Sequence, residues 1–353
     1  MLNMARINEE MEYTKLDTKL EAKLDTKLDL KNRKILFELD KNSRISLSGL
    51  AKKIRLSKEV VFHRINNLVR ERVILRFQTV ISTYRLGYQS YKLYFKLQNL
   101  TPKIKLRIQN YFLKNNSVYW IGNCQGKWGL IIAFWAEDLQ KVGNFEDEIL
   151  NKFSSYIQER ELTISRKNMQ FNRRWFYYDE IEPVEMTFGE ELKEEKIDRI
   201  DTEILRYLAN NARIKLSELA RLTKTSISVV RYRIKQLERK GIIIGYKYAL
   251  NTHKLGYETC KAFISLKNVT NIKRKALIEY IKLKPNAINI VLTIGPWDME
   301  IEFEVRNFEE YYQLMNDIQE RFNKIIRNYD SVLFSSEPKQ SFMPGAHPKM
   351  KRI

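Results

Sequence analysis

Shifted by 169 positions, the sequence falls on itself. KILFELDKNSRISLSGLAKKIRLSKEVVFHRINNL (34–68) aligns without a gap on EILRYLANNARIKLSELARLTKTSISVVRYRIKQL (203–237). Ile35/Ile204, Leu36/Leu205, Arg44/Arg213, Leu50/Leu219, Ser57/Ser226, Arg64/Arg233 and Leu68/Leu237 are among the identical pairs. The same shift pairs LGY at 86–88 with LGY at 255–257, and Gly126 and Trp128 with Gly295 and Trp297. A period this long exceeds any solenoid unit, so the chain is a duplicated multi-domain module. Whatever one copy folds into, the other must fold into as well.

The first part of each copy carries helical periodicity. In copy 2, Ile200, Ile204, Leu205 and Leu208 form one apolar face, with Asp198 and Asp201 available as N-caps. Leu216, Leu219, Ala220 and Leu222 predict a short second helix. Ser226 then caps a third, whose Val230, Ile234 and Leu237 recur at i, i+4 and i+7. Gly241 ends it, and the apolar run after it predicts a strand pair, so three helices and a β-hairpin spell a winged helix-turn-helix.

The second part switches to alternating periodicity. Copy 1 reads strand (91–98), helix from Pro102, strand (118–124), glycine loop, strand (130–135), helix (139–153) and strand (160–164); copy 2 repeats the order over 260–334. This βαββαβ order is ferredoxin-like: helices cover one face of a four-stranded sheet and the other face needs a partner. The fold class is therefore α+β. Expected boundaries are an N-terminal extension (1–27), winged helix-turn-helix 1 (28–84), βαββαβ domain 1 (85–165), a linker (166–197), winged helix-turn-helix 2 (198–253), βαββαβ domain 2 (254–335) and a basic tail (336–353). The N-terminal KLDTKLEAKLDTKL is low-complexity; as a helix it would set Lys15, Lys19, Lys23 and Lys27 at repelling i,i+4 spacings, which favours a flexible extension over a docking arm.

Composition narrows the partners. With 63 Lys and Arg against 43 Asp and Glu, the formal net charge is +20, which calls for a polyanion, double-stranded DNA first. Two cysteines and no metal-ligand spacing argue against a disulfide framework and a metal site, and no cofactor is implied. The absence of a long apolar run or signal peptide predicts a cytoplasmic protein with no membrane partner.

The basic excess is uneven. Residues 223–240 hold six basic side chains and one acidic, whereas 54–71 hold four and two. If Val230, Ile234 and Leu237 face the core, then Ser228, Arg231, Tyr232 and Lys235 face outward, where a recognition helix meets the major groove. Ser226 at the helix start, Arg233 and Lys247 on the expected hairpin complete the DNA-contact set of copy 2. Copy 1 offers Lys58, His63, Arg64 and Asn66, beside Glu59 and Phe62. The alternative for either helix is an ordinary solvated basic face. Trp128 and Trp297 are expected to fill the sheet behind a turn, and Asp298 either caps that turn or holds a ligand amine.

Along its full length, KIDRIDTEILRYLANNARIKLSELARLTKTSISVVRYRIKQLERKGIIIGY resembles the DNA-binding domain of the Lrp/AsnC family of transcriptional regulators. VLTIGPWDMEIEF (291–303) resembles the glycine-loop motif of that family's effector-binding, or RAM, domain. The resemblance spans about 29–165 and 198–334 and is closest to the tandem, archaeal-type form. It implies a sequence-specific DNA-binding regulator, paired through its open sheet faces as an intrachain pseudo-dimer and assembling further into homo-oligomers. It also implies an amino-acid-like small effector near Gly295, Trp297 and Asp298. In copy 1, Gly129 replaces that aspartate, which puts effector binding there in doubt. Siroheme decarboxylases share the layout, so a tandem enzyme is the alternative, but their histidine-bearing loop has no counterpart in GNCQGKWGLIIAF or LTIGPWDMEIEF. A ligand-sensing scaffold without DNA binding is the third reading.

Overall fold

The computed structural model describes residues 28–177, 183–189 and 192–344, so the N-terminal extension and residues 345–353 lie outside the described residues. Copy 1 runs α1 (Leu30–Lys41), α2 (Leu47–Ile54), α3 (Lys58–Arg70), β1 (Ile74–Ile81), β2 (Gln89–Leu97), α4 (Pro102–Lys114), β3 (Val118–Gly126), β4 (Leu130–Ala136), α5 (Leu139–Phe153) and β5 (Ile157–Phe171). A short strand, β6 (Glu185–Gly189), follows. Copy 2 runs α6 (Arg199–Asn210), α7 (Leu216–Leu222), α8 (Ile227–Arg239), β7 (Ile243–Leu250), β8 (Glu258–Leu266), α9 (Asn271–Lys282), β9 (Ala287–Ile294), β10 (Met299–Val305), α10 (Phe308–Arg321) and β11 (Ile326–Gln340).

Local rules place the helices. Ser57 and Ser226 cap α3 and α8 by accepting from Val60 N and Val229 N, each at 3.2 Å. Asp198 and Asp201 form a reciprocal capping box on α6. The inward stripes Val61, Ile65, Leu68 and Val230, Ile234, Leu237 are buried at the expected spacing. Burial of such side chains stabilises each helix by about 1.5–3 kcal/mol per residue.

The expected β-hairpin does not form. Each copy contributes one wing strand, and β1 pairs antiparallel with β7 of the other copy. In that ribbon Gln78 lies opposite Lys247, the same position of the repeat, so a pseudo-two-fold axis passes between them. Backbone bonds obey the same operator: Ser43 N donates to Tyr246 O at 2.9 Å, and Ala212 N donates to Phe77 O at 3.1 Å. The repeated arginines cross the axis reciprocally, Arg44 donating to Ala212 O and Arg213 to Ser43 O.

The two βαββαβ units close on each other. Strand orders are β3-β4-β2-β5 in copy 1 and β9-β10-β8-β11 in copy 2. The long strands join them: β5 pairs first with β2 and then with β9, while β11 pairs first with β8 and then with β3. The result is a ring of eight strands, with β6 added on β5. Helices α4 and α5 cover one outer face through Ile108, Phe112 and Phe145, and α9 and α10 cover the other through Leu277, Ile281 and Met315. Inside the ring, Tyr94, Trp128, Phe263, Trp297 and Phe334 pack together, with Trp128 and Trp297 meeting near the axis at 6.3 Å between ring centroids.

Gly126 and Gly295 adopt φ of 122° and 155°. A Cβ on Gly126 would sit 2.8 Å from Ser331 O, and one on Gly295 would sit 2.9 Å from Thr163 Cγ2. Both glycines allow close approach of the opposite copy.

Two expected loose segments are built into this frame. The expected linker begins by continuing β5 to Phe171. Trp175 then stacks on Tyr257 with centroids 3.8 Å apart and donates from Nε1 to Glu304 Oε2 at 2.8 Å. The expected basic tail begins inside β11, where buried Lys339 donates to the end of α4 at Leu113 O (3.0 Å) and Asn115 O (2.7 Å).

Candidate DNA-binding surface

Helices α3 and α8, equivalent in the repeat, are the candidate recognition helices. On α8, Ser228, Arg231, Tyr232 and Lys235 are exposed, Tyr232 to 60 %. Neither Arg231 nor Lys235 has an ion-pair partner among the described residues. The hydroxyls of Ser226 and Ser228 lie 2.8 Å apart at the helix start, where free backbone N–H groups favour an anion. On α3, Lys58, Glu59, Phe62, His63 and Asn66 take the corresponding outward places; Phe62, 47 % exposed, stands where copy 2 has Arg231.

Three expected contacts move elsewhere. Lys247 is buried on the axis, its ammonium 3.4 Å from Asp40 and 3.0 Å from Phe171 O, because its strand pairs with β1 instead of turning back as an exposed hairpin. Arg64 donates to Asp29 at 2.6 Å and Asn32 at 3.0 Å. Its repeat partner Arg233 lies 2.7 Å from Asp198 and 3.3 Å from Asp201. These arginines bind the start of the first helix to the recognition helix. Their repeated identity reflects that structural tie.

The expected effector triplet is also occupied. Trp297 is in the aromatic core, Asp298 accepts from Leu266 N at 2.6 Å, and Gly295 makes the close approach described above. The Asp298 carboxylate thus ties the glycine loop to the end of β8 rather than capping its own turn.

Behind the ribbon lies a charged layer that the sequence reading missed. Lys92 and Lys261, equivalent in the repeat, share Glu300 at 2.5 and 3.1 Å. Copy 1 has Ile131 at the place of Glu300. Burial alone would raise the Glu300 carboxyl, but Lys92 and Lys261 hold it down to about 2. Arg173, from the segment after β5, bridges Asp40 (2.9 Å) and Glu304 (2.8 Å). The available signal was MEIEFEV, whose glutamates alternate with apolar residues. By itself that pattern reads as a solvent face; here Lys92 of the opposite copy, Lys261 of the same copy and Arg173 after β5 cover it.

Two adjoining recesses of about 150 and 80 Å³ lie between the ribbon and the sheet and share Gln170, Asn289, Glu302, Glu337, Gln340 and Phe342. The free thiols do not enter this chemistry: Cys124 is half-buried and Cys260 buried, with burial pushing the latter up to about 12. No cluster suited to a metal ion occurs among the described residues, and no helix there is long and apolar enough to cross a membrane.

Comparison with known proteins agrees with this layout. A family model described as winged helix-turn-helix DNA-binding matches residues 28–74 and 197–244. An uncharacterized HTH-type transcriptional regulator of Pyrococcus abyssi is 30% identical over 149 residues, which cover 42% of this chain and 91% of the relative. The HTH-type transcriptional regulator Ptr1 of Methanocaldococcus jannaschii is 34% identical over 102 residues, covering 29% of this chain and 68% of the relative. Among solved structures, the siroheme decarboxylase NirDL superposes with a TM-score of 0.60 over 89% of this chain and 94% of its own, at 12% identity. That likeness is one of fold.

Proposed function

The chain belongs to the Lrp/AsnC family of winged helix-turn-helix transcriptional regulators, and from that premise we propose that it reads double-stranded DNA as a single-chain pseudo-dimer. The observation that carries this is α8: Arg231 and Lys235 are exposed, with no ion-pair partner among the described residues, beside Ser228 and Tyr232 on a helix whose opposite face is locked in the core. Arg231 is the base reader, suited to the paired acceptors of a guanine edge. Lys58 of α3 and the Ser226 end of α8 contact phosphate. Because α3 and α8 differ in every outward side chain discussed above, the preferred site is asymmetric.

The regulator reading is favoured over a decarboxylase. His63 and His253 are exposed and lie outside both glycine loops, so those loops have no histidine to move a proton. The test is selection of bound fragments from genomic DNA by the purified chain, followed by titration of the selected site at increasing salt. With roughly 6–10 phosphate contacts, affinity should fall about 10³–10⁵-fold between 50 and 200 mM salt. Failure to enrich any sequence, or a flat salt response, overturns the reading.

A further inference from the structure

We propose that the cleft between the β1–β7 ribbon and the sheet is a binding site for a small organic cation, an alkylammonium group held by Glu337 and Glu302 against the aromatic side chains of Tyr119, Trp120 and Trp135.

The first support is charge pairing. Asp40 and Glu304 have Arg173, with Lys247 also on Asp40, while Glu300 and Glu302 have Lys261, with Lys92 also on Glu300. Glu337 lines both recesses and has no cation within ion-pair distance among the described residues; its one recorded donor is Trp120 Nε1 at 2.7 Å. Arg76, the other cation on the wall, donates to Gln78 Oε1 (2.9 Å) and Gln340 O (2.6 Å). Glu337 is exposed along the cleft, and the protein packed about its carboxyl, together with Glu302, pushes it up to about 6. A cation entering the cleft would relieve that.

The second support is independent of charge. Asn289 is 92 % buried, lines both recesses, and its Oδ1 has no donor among the described residues; Asn168 Oδ1, on the smaller recess, has none there either. Buried acceptors ordinarily find donors. An ammonium brings three N–H donors and no acceptor, which suits the Glu337 carboxylate and the amide oxygens of Asn289 and Asn168. On that wall Arg173, Lys92, Lys247 and Lys261 are already engaged with other carboxylates. The third support is the lining of the smaller recess, where Tyr119 and Trp135 stack with centroids 4.4 Å apart and Trp120 stands beside them. Aromatic faces attract organic cations, and Lys261 already lies 4.7 Å over the Trp120 ring. The larger recess leaves room for an alkyl tail, its volume being several times the roughly 10–15 Å³ one water needs.

The test uses the full chain without DNA, so its outcome stands whether or not the DNA-binding reading does. n-Butylammonium, 1-butanol and butyrate are each titrated at pH 8 and constant ionic strength, followed by calorimetry and by the Trp120 indole N–H resonance. The expected result is saturable one-to-one binding of the ammonium alone, at least tenfold weaker in Glu337→Gln and in Asn168→Ala. Thermal unfolding of both variants serves as the check on folding. Glu337→Gln keeps the side-chain shape and Asn168→Ala trims a half-buried residue, so the pair reads the site without dismantling the core. No saturable binding, equal binding of butanol, or wild-type affinity in both folded variants overturns the proposal.

Discussion

The two copies share a backbone plan and differ where they meet. In a dimer of identical chains every residue on the two-fold axis faces itself, so a lysine at the position of Lys247 would face another lysine. Here the facing residue is Gln78, and the neutralising carboxylate is Asp40, whose counterpart in the repeat is Ala209. Glu300 and Glu304 likewise correspond to Ile131 and Trp135. Joining the copies in one chain lets opposite charges, rather than equal ones, sit across the axis. The same freedom separates the recognition helices: α8 keeps exposed cations, while α3 carries Glu59 and Phe62.

The charged layer gives the largest expected effect. Glu300→Ile installs the copy 1 residue in copy 2 and leaves Lys92 buried with no carboxylate, which should cost about 3–5 kcal/mol in urea unfolding. Adding Lys92→Met should recover most of that loss, since an apolar replacement of a buried pair is often neutral. If Glu300→Ile unfolds like the wild type, the asymmetric layer does not hold the copies together.

The same pair sets an acid limb. Glu300 has a folded carboxyl held at about 2, below the roughly 4.3 of an unfolded glutamate. Its contribution is therefore fully present above the unfolded value and is lost as pH falls toward 2. Unfolding free energy measured from pH 5 to 2 should drop more steeply for the wild type than for Glu300→Ile with Lys92→Met. Parallel slopes would remove Glu300 from the acid response.

The recognition helices come next. Arg231→Ala should weaken binding to a selected site by about 1–3 kcal/mol and relax specificity at one base. Lys58→Ala should cost less, and equally on scrambled DNA, as expected of a phosphate contact. A larger, sequence-dependent loss for Lys58→Ala would make copy 1 the reader.

The smallest effect belongs to the paired arginines. Arg64→Ala and Arg233→Ala break partly exposed ion pairs worth roughly 0–1 kcal/mol each and should leave the salt slope of DNA binding unchanged. A slope reduced by about 1 in either variant would return that arginine to the phosphate contacts.

The sequence by itself determined the duplication, the helices with their caps and buried stripes, and the outward face of α8. All of these follow from local periodicity and from identities at a fixed shift. The 3.6-residue stripe Val230, Ile234, Leu237 is enough to orient Ser228, Arg231, Tyr232 and Lys235. Only the tertiary structure decided which strands pair. A period-2 pattern tells which face is covered, not by what. The wing strands therefore read as hairpins and Lys247 as a surface cation, while Glu300, Glu302 and Glu304 carried no assignment at all. Trp175 and Arg173 read as linker because their partners, Tyr257, Asp40 and Glu304, lie far off in sequence. Pairing across the pseudo-two-fold axis turned each of these inward, since a sheet face left open by one copy is covered at least cost by the same surface of the other.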